Sequence, residues 1–309
     1  MTKFVGKRLL LSVITLWVII TVTFFLMKAI PGNPFRKEGP MPASVYENIL
    51  KKYGLDRPVS EQYVMYMQNI LKGDLGASMK SRTEDVNDMI SRGAPVSFQI
   101  GLQAFLIAIL IGPALGAIAA LYQNRWPDYI AMILAIIGIS VPSFILATFL
   151  IQFVAKGSGV FPIGGWGTFA HSILPSISLA VMPLASTARL MRSSMLEVLG
   201  QDYIKTAKSK GISQFAVIIK HAVRNAILPI TSQMGTTISN LLVGSFVVEK
   251  IFGVPGIGRF FVDSVTNRDY TLIMGITIFY AVVLLAMLLI IDILYVVIDP
   301  RIKLTGEAK

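Results

Sequence analysis

Few residues in this chain are placed to do chemistry. Cys is absent and His occurs twice, at His171 and His221. That excludes a disulfide framework, a thiolate metal site and a cysteine nucleophile, and it leaves too few imidazoles for a histidine-rich metal site or proton relay. No H-E-x-x-H, G-x-S-x-G or paired-carboxylate constellation lies on an apolar run, so no catalytic residue and no metal site are assigned, and an enzyme is not expected. The nearest approach to a phosphate-binding loop is GDLGASMKS at 73–81, which lacks the glycine before Lys80. The chain itself is therefore expected to bind no ATP and no other cofactor.

Three features remain. Asp292 lies well inside an apolar run, where a carboxylate is a functional candidate by default. It sits about two turns, roughly 10 Å, from Asp299, which favours an anchoring hydrogen bond or salt bridge near the interface over proton coupling. Gln233, Thr237, Asn240 and Gly244 fall on one helical stripe, with Thr236 beside it. Such a stripe faces either a water-filled path or another helix, and the path is the preferred reading. Finally, Tyr203, Thr206, Ala207 and Gly211 form a small-residue face on a short basic helix that also carries Lys205, Lys208 and Lys210. The lysines suit anionic lipid headgroups. Small side chains permit close approach of another protein, which favours partner docking.

The elements that hold these residues are read from hydropathy. Hydrophobic residues make up 54% of the 309, charged residues 15%, and mean hydropathy is +0.68. A soluble globule carries more charge, and a disordered chain far less apolar material. Crossing the hydrocarbon takes about 20 apolar residues in a helix. Runs of this kind lie at 9–27, 98–121, 129–155, 226–248 and 270–291, with a shorter, proline-bearing one at 173–188. The fold class expected is all-α integral membrane, with six transmembrane helices. The first run exceeds the length of a signal-peptide core and lacks a small-residue cleavage pattern, so it reads as a retained span.

Lys and Arg number 28 against 17 Asp and Glu, a net charge of +11. With the N-terminus inside, 14 basic residues fall on the cytoplasmic side and 4 in the short outer loops. The long segment after the first span carries the other 10, offset by 8 acids, and loops of that length do not count. The asymmetry puts both termini in the cytoplasm. Topology thus accounts for the basic excess, and nucleic acid is not expected as a partner.

Residues 1–30 read as an N-terminal span, 31–93 as an extracytoplasmic helical segment, and 94–309 as a core with five spans. In the outer segment, Ser44 and Glu47 form a capping box, Ser60 starts a second helix, and Thr83 starts a third that ends at Gly93-Ala94-Pro95. A lid over the spans and a docking surface for something outside are both open readings. In the inner segment, 189–225, Asp202 is the N-cap candidate for a helix over 203–210, Gly211 ends it, and Ser213 caps a second amphipathic helix. Gly112 and Gly116 are spaced for close helix packing, and Pro113, Pro142, Pro175 and Pro183 are positioned to kink spans.

The inner segment, RLMRSSMLEVLGQDYIKTAKSKGISQFAVIIKHAVRNAILP, resembles the cytoplasmic loop of ABC-importer permeases. It is most similar to that of the first membrane subunit of oligopeptide and dipeptide importers. The stretches KRLLLSVITLWVIITVTFFLMKAIPGNPF, YGLDRPVSEQYVMYMQNILKGDLGASM, VVEKIFGVPGIGRFFVDSVTNRDYTLIMG and DILYVVIDPRIK carry the same resemblance, in order, over nearly the whole chain. The general importer motif opens E-A-A-x-x-x-G and closes further on with I-x-L-P. Anchored on Gly211, its first three positions fall on Lys205, Thr206 and Ala207. Only Ala207 and Gly211 match strictly, and Leu228-Pro229 comes later than the general motif has it, as in the peptide subfamily.

The resemblance implies an importer-permease architecture in a bacterial inner membrane. The helix 203–210 would dock in a cleft of a nucleotide-binding subunit, through Tyr203, Lys205, Thr206, Ala207, Lys210 and Gly211. It further implies a second homologous permease, two ATPase subunits holding ATP and Mg, an extracytoplasmic substrate-binding protein meeting the outer segment, and a peptide substrate. Gln233, Thr237 and Asn240 are the candidates for the translocation path. Nickel permeases resemble the same family, so nickel or a metal chelate is the alternative cargo. An ion-gradient-driven secondary transporter is the other alternative. It needs buried mid-span acids and often an internal repeat, and Asp292 is the only such acid found.

Overall fold

The computed structural model describes residues 2–30, 35, 42–81, 83–242 and 244–298. Among them every regular element is a helix, and the one extended pairing is an isolated bridge between Ala77 and Asp85. Helix α1 (Thr2–Ala29) is apolar on all sides and packs along the last helix of the chain. Helices α2 (Ala43–Lys52) and α3 (Val59–Leu71) follow at one end of the bundle. Both begin directly after a proline, Pro42 and Pro58, and neither has a side-chain cap. The expected capping by Ser44 and Ser60 is thus replaced by proline, whose fixed φ already suits the entry to a helix.

The third outer helix was expected to end at Gly93-Ala94-Pro95. Instead α4 (Val86–Leu121) runs through it without interruption for 36 residues, about 54 Å. Pro95 removes one ladder hydrogen bond, but packing holds the turn together. Met89, Ile90 and Ala94 are buried with Ile257 and Leu272, and Gly93 lies where a Cβ would stand 3.0 Å from the Ile257 nitrogen.

Helix α5 (Trp126–Ser140) stops because Pro142 follows; Val141 takes the extended conformation that a residue before proline prefers. The chain resumes as α6 (Ser143–Phe149), a π-helical stretch Leu150–Ala155 and a last turn α7 (Lys156–Ser158), at 107° to α5. Helix α8 (Phe169–Leu199) was expected to be short and broken, yet it is 31 residues long with Pro175 and Pro183 inside it. The Thr187 hydroxyl lies 2.9 Å from the Pro183 and Leu184 carbonyls and 3.2 Å from Ala108 O of α4. The hydroxyl thus ties α8 to α4 where they cross, while the carbonyl that Pro183 leaves without its ladder donor is that of Leu179. At the other end, Thr168 and His171 form a reciprocal capping box, which accounts for one of the two histidines.

The remaining elements are the short helices α9 (Asp202–Ser209), α10 (Gln214–Ala216) and α11 (Arg224–Ala226), then α12 (Leu228–Leu242), α13 (Phe246–Phe252), α14 (Ile257–Asn267) and α15 (Tyr270–Ile298). Among the described residues four helices, α1, α4, α8 and α15, are long and apolar enough to cross a membrane, and α5 with α6–α7 meets the same measure as one bent span. Helix α12, expected to be the fifth crossing, has only 15 residues, about 22 Å.

Two glycines bring α4 and α8 into contact. A Cβ on Gly112 would stand 2.1 Å from Thr187 Oγ1, and one on Gly116 would stand 2.2 Å from Ala188 O. The spacing read as a packing motif is the crossing point of the two helices. One end of α4 clusters with Leu272 and Ile276 of α15, and the other clusters with Met191, Met195 and Ile204. The bundle therefore has two distinct ends, one bearing α2 and α3 and the other bearing α9.

Candidate functional site

Helix α9 is fixed at its C-terminus by backbone geometry. Gly211 adopts φ +76°, its N–H donates to Lys208 O at 3.0 Å, and the Ile212 N–H donates to Ala207 O at 3.3 Å. This is the Schellman arrangement, which a glycine in the left-handed region makes without strain. The Ala216 N–H donates to Ser213 Oγ at 3.4 Å, so the expected second cap is present. At the N-terminus the expectation is corrected: Gln201 occupies the cap, and Asp202 lies inside the first turn, paired with Lys205 at 2.9 Å. Both partners are largely exposed, and such pairs stabilise little.

The faces of α9 divide cleanly. Ile204 and Ala207 are buried against Met191 and Met195 of α8, Val217, Ala222, Ala226, and Ile230 of α12. Ala207 thus stands beneath the helix and not on its outward face, because it shares a stripe with Ile204. Tyr203, Lys205, Thr206, Lys210 and Gly211 are exposed, and the Asn225 amide donates to the Tyr203 hydroxyl at 3.1 Å. Phe215, 76% exposed, stands beyond the turn with Ile212 and Ile219. The outward surface is therefore a polar helix face bordered by bare apolar side chains.

The polar stripe of α12 opens on a cavity of about 370 Å³ shared with α8 and the start of α6. Gln233, Thr236, Thr237 and Asn240 line it together with Ser186 and Thr187. Ile230, Gly235 and Ser239, on the opposite side, are buried and carry helix contacts, and Leu241 is buried at the edge of the cavity. Gly235 lies against Ile291 of α15, and Leu241 lies against Gly101 of α4. Gly244 does not belong to the stripe: α12 has ended at Leu242, and Gly244 takes φ +82° in the break that follows. Asp292 pairs with Arg8 Nε at 3.1 Å, tying α15 to α1.

Three acids missed at the level of sequence prove to be structural centres. Asp128 accepts two bonds from Arg192, at 2.5 and 2.6 Å, and a third from the Asn124 N–H at 3.0 Å, joining α5 to α8. Asp269 accepts from the Ser78 hydroxyl and from the Met79 and Leu272 amides, holding the outer segment to the start of α15. Glu249 of α13 is wholly buried. Its Oε2 accepts the Gly258 N–H at 2.8 Å, while Ser97 of α4 accepts the neighbouring Ile257 N–H at 3.0 Å. Gly244, Gly256 and Gly258 close around the carboxylate, and a Cβ on any of them would stand within 2.9 Å of a Glu249 oxygen. The sequence signal for Glu249 is an acid flanked by glycines at 244, 253, 256 and 258 immediately past an apolar run.

Long apolar helices, a capped helix seated on the membrane bundle and a cavity bearing a stripe of amides and hydroxyls beside a spanning element define a multi-pass membrane transport component. The family model described as "Binding-protein-dependent transport system inner membrane component" matches residues 112–304, and that of its N-terminal part matches residues 1–87. The chain belongs to this family, that of dipeptide and oligopeptide transport permeases, and is a permease component of an ABC importer. It is 50% identical over 304 residues to the dipeptide transport system permease protein DppB of Bacillus subtilis, covering 98% of this chain and 99% of that one. It is 44% identical over 306 residues to the oligopeptide transport system permease protein OppB of Haemophilus influenzae, covering 98% and 100%. Among solved structures, an inward-facing MetNI methionine ABC transporter chain matches with a TM-score of 0.50 and 16% identity, over 66% of this chain and 95% of that one. That likeness is one of fold.

Proposed function

We propose that this chain forms half of the translocation path of an ATP-driven importer for dipeptides or oligopeptides, and that α9 couples the path to ATPase subunits. The seating of α9 carries this reading. Its inner face packs on α8 and on the first turn of α12, and those two helices line the cavity. A short helix closed at its C-terminus and seated on the bundle transmits a displacement from its exposed face, Tyr203, Lys205, Thr206 and Lys210, to the walls of the path. Gly211 sets the exit turn, and Ala207 fixes the height of the helix from beneath. The names of the full-length relatives support peptide as the cargo. The amides and hydroxyls of Gln233, Thr237 and Asn240 suit a passing peptide backbone, which offers donors and acceptors in every residue.

In this reading ATP and Mg reside on two ATPase subunits, a second permease supplies the other half of the path, and a binding protein delivers peptide at the end bearing α2 and α3. Helices α12 and α13 form a broken crossing, which makes six in all and leaves both termini on the cytoplasmic side. Asp292 serves as an anchor through Arg8. Purification of the tagged chain from native membranes tests the assembly: a second permease and ATPase subunits should co-purify in stoichiometric amounts. A homogeneous chain without ATPases, under conditions that preserve related complexes, refutes the coupling role. Uptake of a labelled dipeptide against uptake of nickel then decides the cargo.

A further inference from the structure

Resting on that reading, we propose that Glu249 is a positioning residue for transport: it pins the break after α12 to α14 and α4, so that a displacement of α12 reaches the far end of the bundle as a rigid movement. Helix α12 is driven at one end, where Ile230 packs with Ile204 and Ala207 of α9. At the other end the chain turns through Gly244 at φ +82°, and Ser245 caps α13 by accepting the Val248 N–H at 3.3 Å. A break of this kind absorbs motion unless something bridges it.

The Glu249 side chain is the bridge. It reaches back over the break to within a Cβ's reach of Gly244 and forward to the N–H of Gly258 at the start of α14. The amides at a helix start favour a carboxylate oxygen. The next contact is Ser97, which accepts the Ile257 N–H and so brings α4 into the same knot. Gly244, Gly256 and Gly258 leave no volume for the carboxylate to move into, because each would strike it if it carried a Cβ. Behind it, Phe246 stacks on Phe261 of α14 at 4.6 Å and meets the ring of Tyr280 of α15 at 5.4 Å. Helices α4, α13 and α14 thus meet beside one carboxylate, with α15 behind Phe246. Lys250, Arg259 and Asp263 are engaged with one another on the exposed side and leave Glu249 to the interior.

The test uses the complete importer in proteoliposomes, with its binding protein, and reads labelled dialanine taken up per ATP hydrolysed. Glu249→Ala should assemble and hydrolyse ATP, yet take up at least tenfold less peptide per ATP. Glu249→Gln keeps an oxygen to accept the Gly258 N–H and should stay within about threefold of wild type. Ser97→Ala removes the α4 side of the knot at little cost in volume and should lower the ratio severalfold; it stands in if Glu249→Ala fails to assemble. An unchanged ratio in Glu249→Ala or in Ser97→Ala overturns the proposal. So does an equal loss in Glu249→Ala and Glu249→Gln, which would assign the role to charge instead of position. The wild-type complex is the separate control: if it shows no ATP-driven peptide uptake, the functional reading itself fails and not the pin.

Discussion

Replacing Gly112 and Gly116 with alanine probes how the walls of the path are held. Each glycine lets α4 lie against α8 at a distance that a Cβ forbids: 2.1 Å from Thr187 Oγ1 at Gly112 and 2.2 Å from Ala188 O at Gly116. An ordinary contact begins at 3.4 Å. Either alanine therefore drives the helices apart by about 1 Å, and overpacking of this kind costs about 1–3 kcal/mol. The two clashes lie one turn apart on the same interface, so the displacement that relieves one also relieves part of the other. The double variant should lose less than the sum of the singles, with a coupling of about 0.5 kcal/mol or more. Denaturation in mixed micelles, followed by circular dichroism, measures this. Gly157→Ala is the control, since nothing stands within 4 Å of its Cβ position. Uptake should fall in the same variants, because Thr187 also lines the cavity. A double variant as stable as wild type, or strictly additive losses, would refute the shared-displacement reasoning.

Asp128→Asn leaves Arg192 in a largely buried site without its counter-charge and should cost about 3–5 kcal/mol, read by the same denaturation; loss of both partners together should cost less. Gly211→Ala places an L side chain at φ +76° in open space, so only backbone strain opposes it, about 1–2 kcal/mol. Membrane insertion should be intact and uptake reduced, with Gly211→Asn milder, as fractionation and transport assays would show. Asp292→Asn breaks a pair whose arginine is half exposed and should shift stability by no more than about 1 kcal/mol. Uptake that then lost a dependence on the proton gradient would contradict the anchoring role.

Hydropathy made the long apolar helices legible, because crossing hydrocarbon leaves a composition that no local contact can erase. Helix ends were less legible. Pro95, Pro175 and Pro183 look like stops in a propensity argument, yet α4 and α8 pass through them, because tertiary packing outweighs the lost bonds. On α9 the periodicity placed Ala207 on a face but could not say which face was inward; that depends on Met191 and Met195, which lie outside the loop. Gly211 was legible because a left-handed helix exit has a local signature. Glu249 was not, since its meaning comes from Ser97, which meets Ile257 across 160 positions of chain.

The pairing of α1 with α15 bears on how the protein is made. Helix α1 leaves the ribosome well before its main partner, which begins at Tyr270. At about 5–20 residues per second, some tens of seconds separate the two events. During that interval α1 must persist in lipid with no protein neighbour along most of its length. Its surface is suited to the wait, with Leu9, Leu10, Val13, Trp17, Val18 and Val22 spread around it and still exposed in the finished bundle. Asp292 on α15 is synthesised long after Arg8, so the later helix completes an ion pair that the earlier one opened.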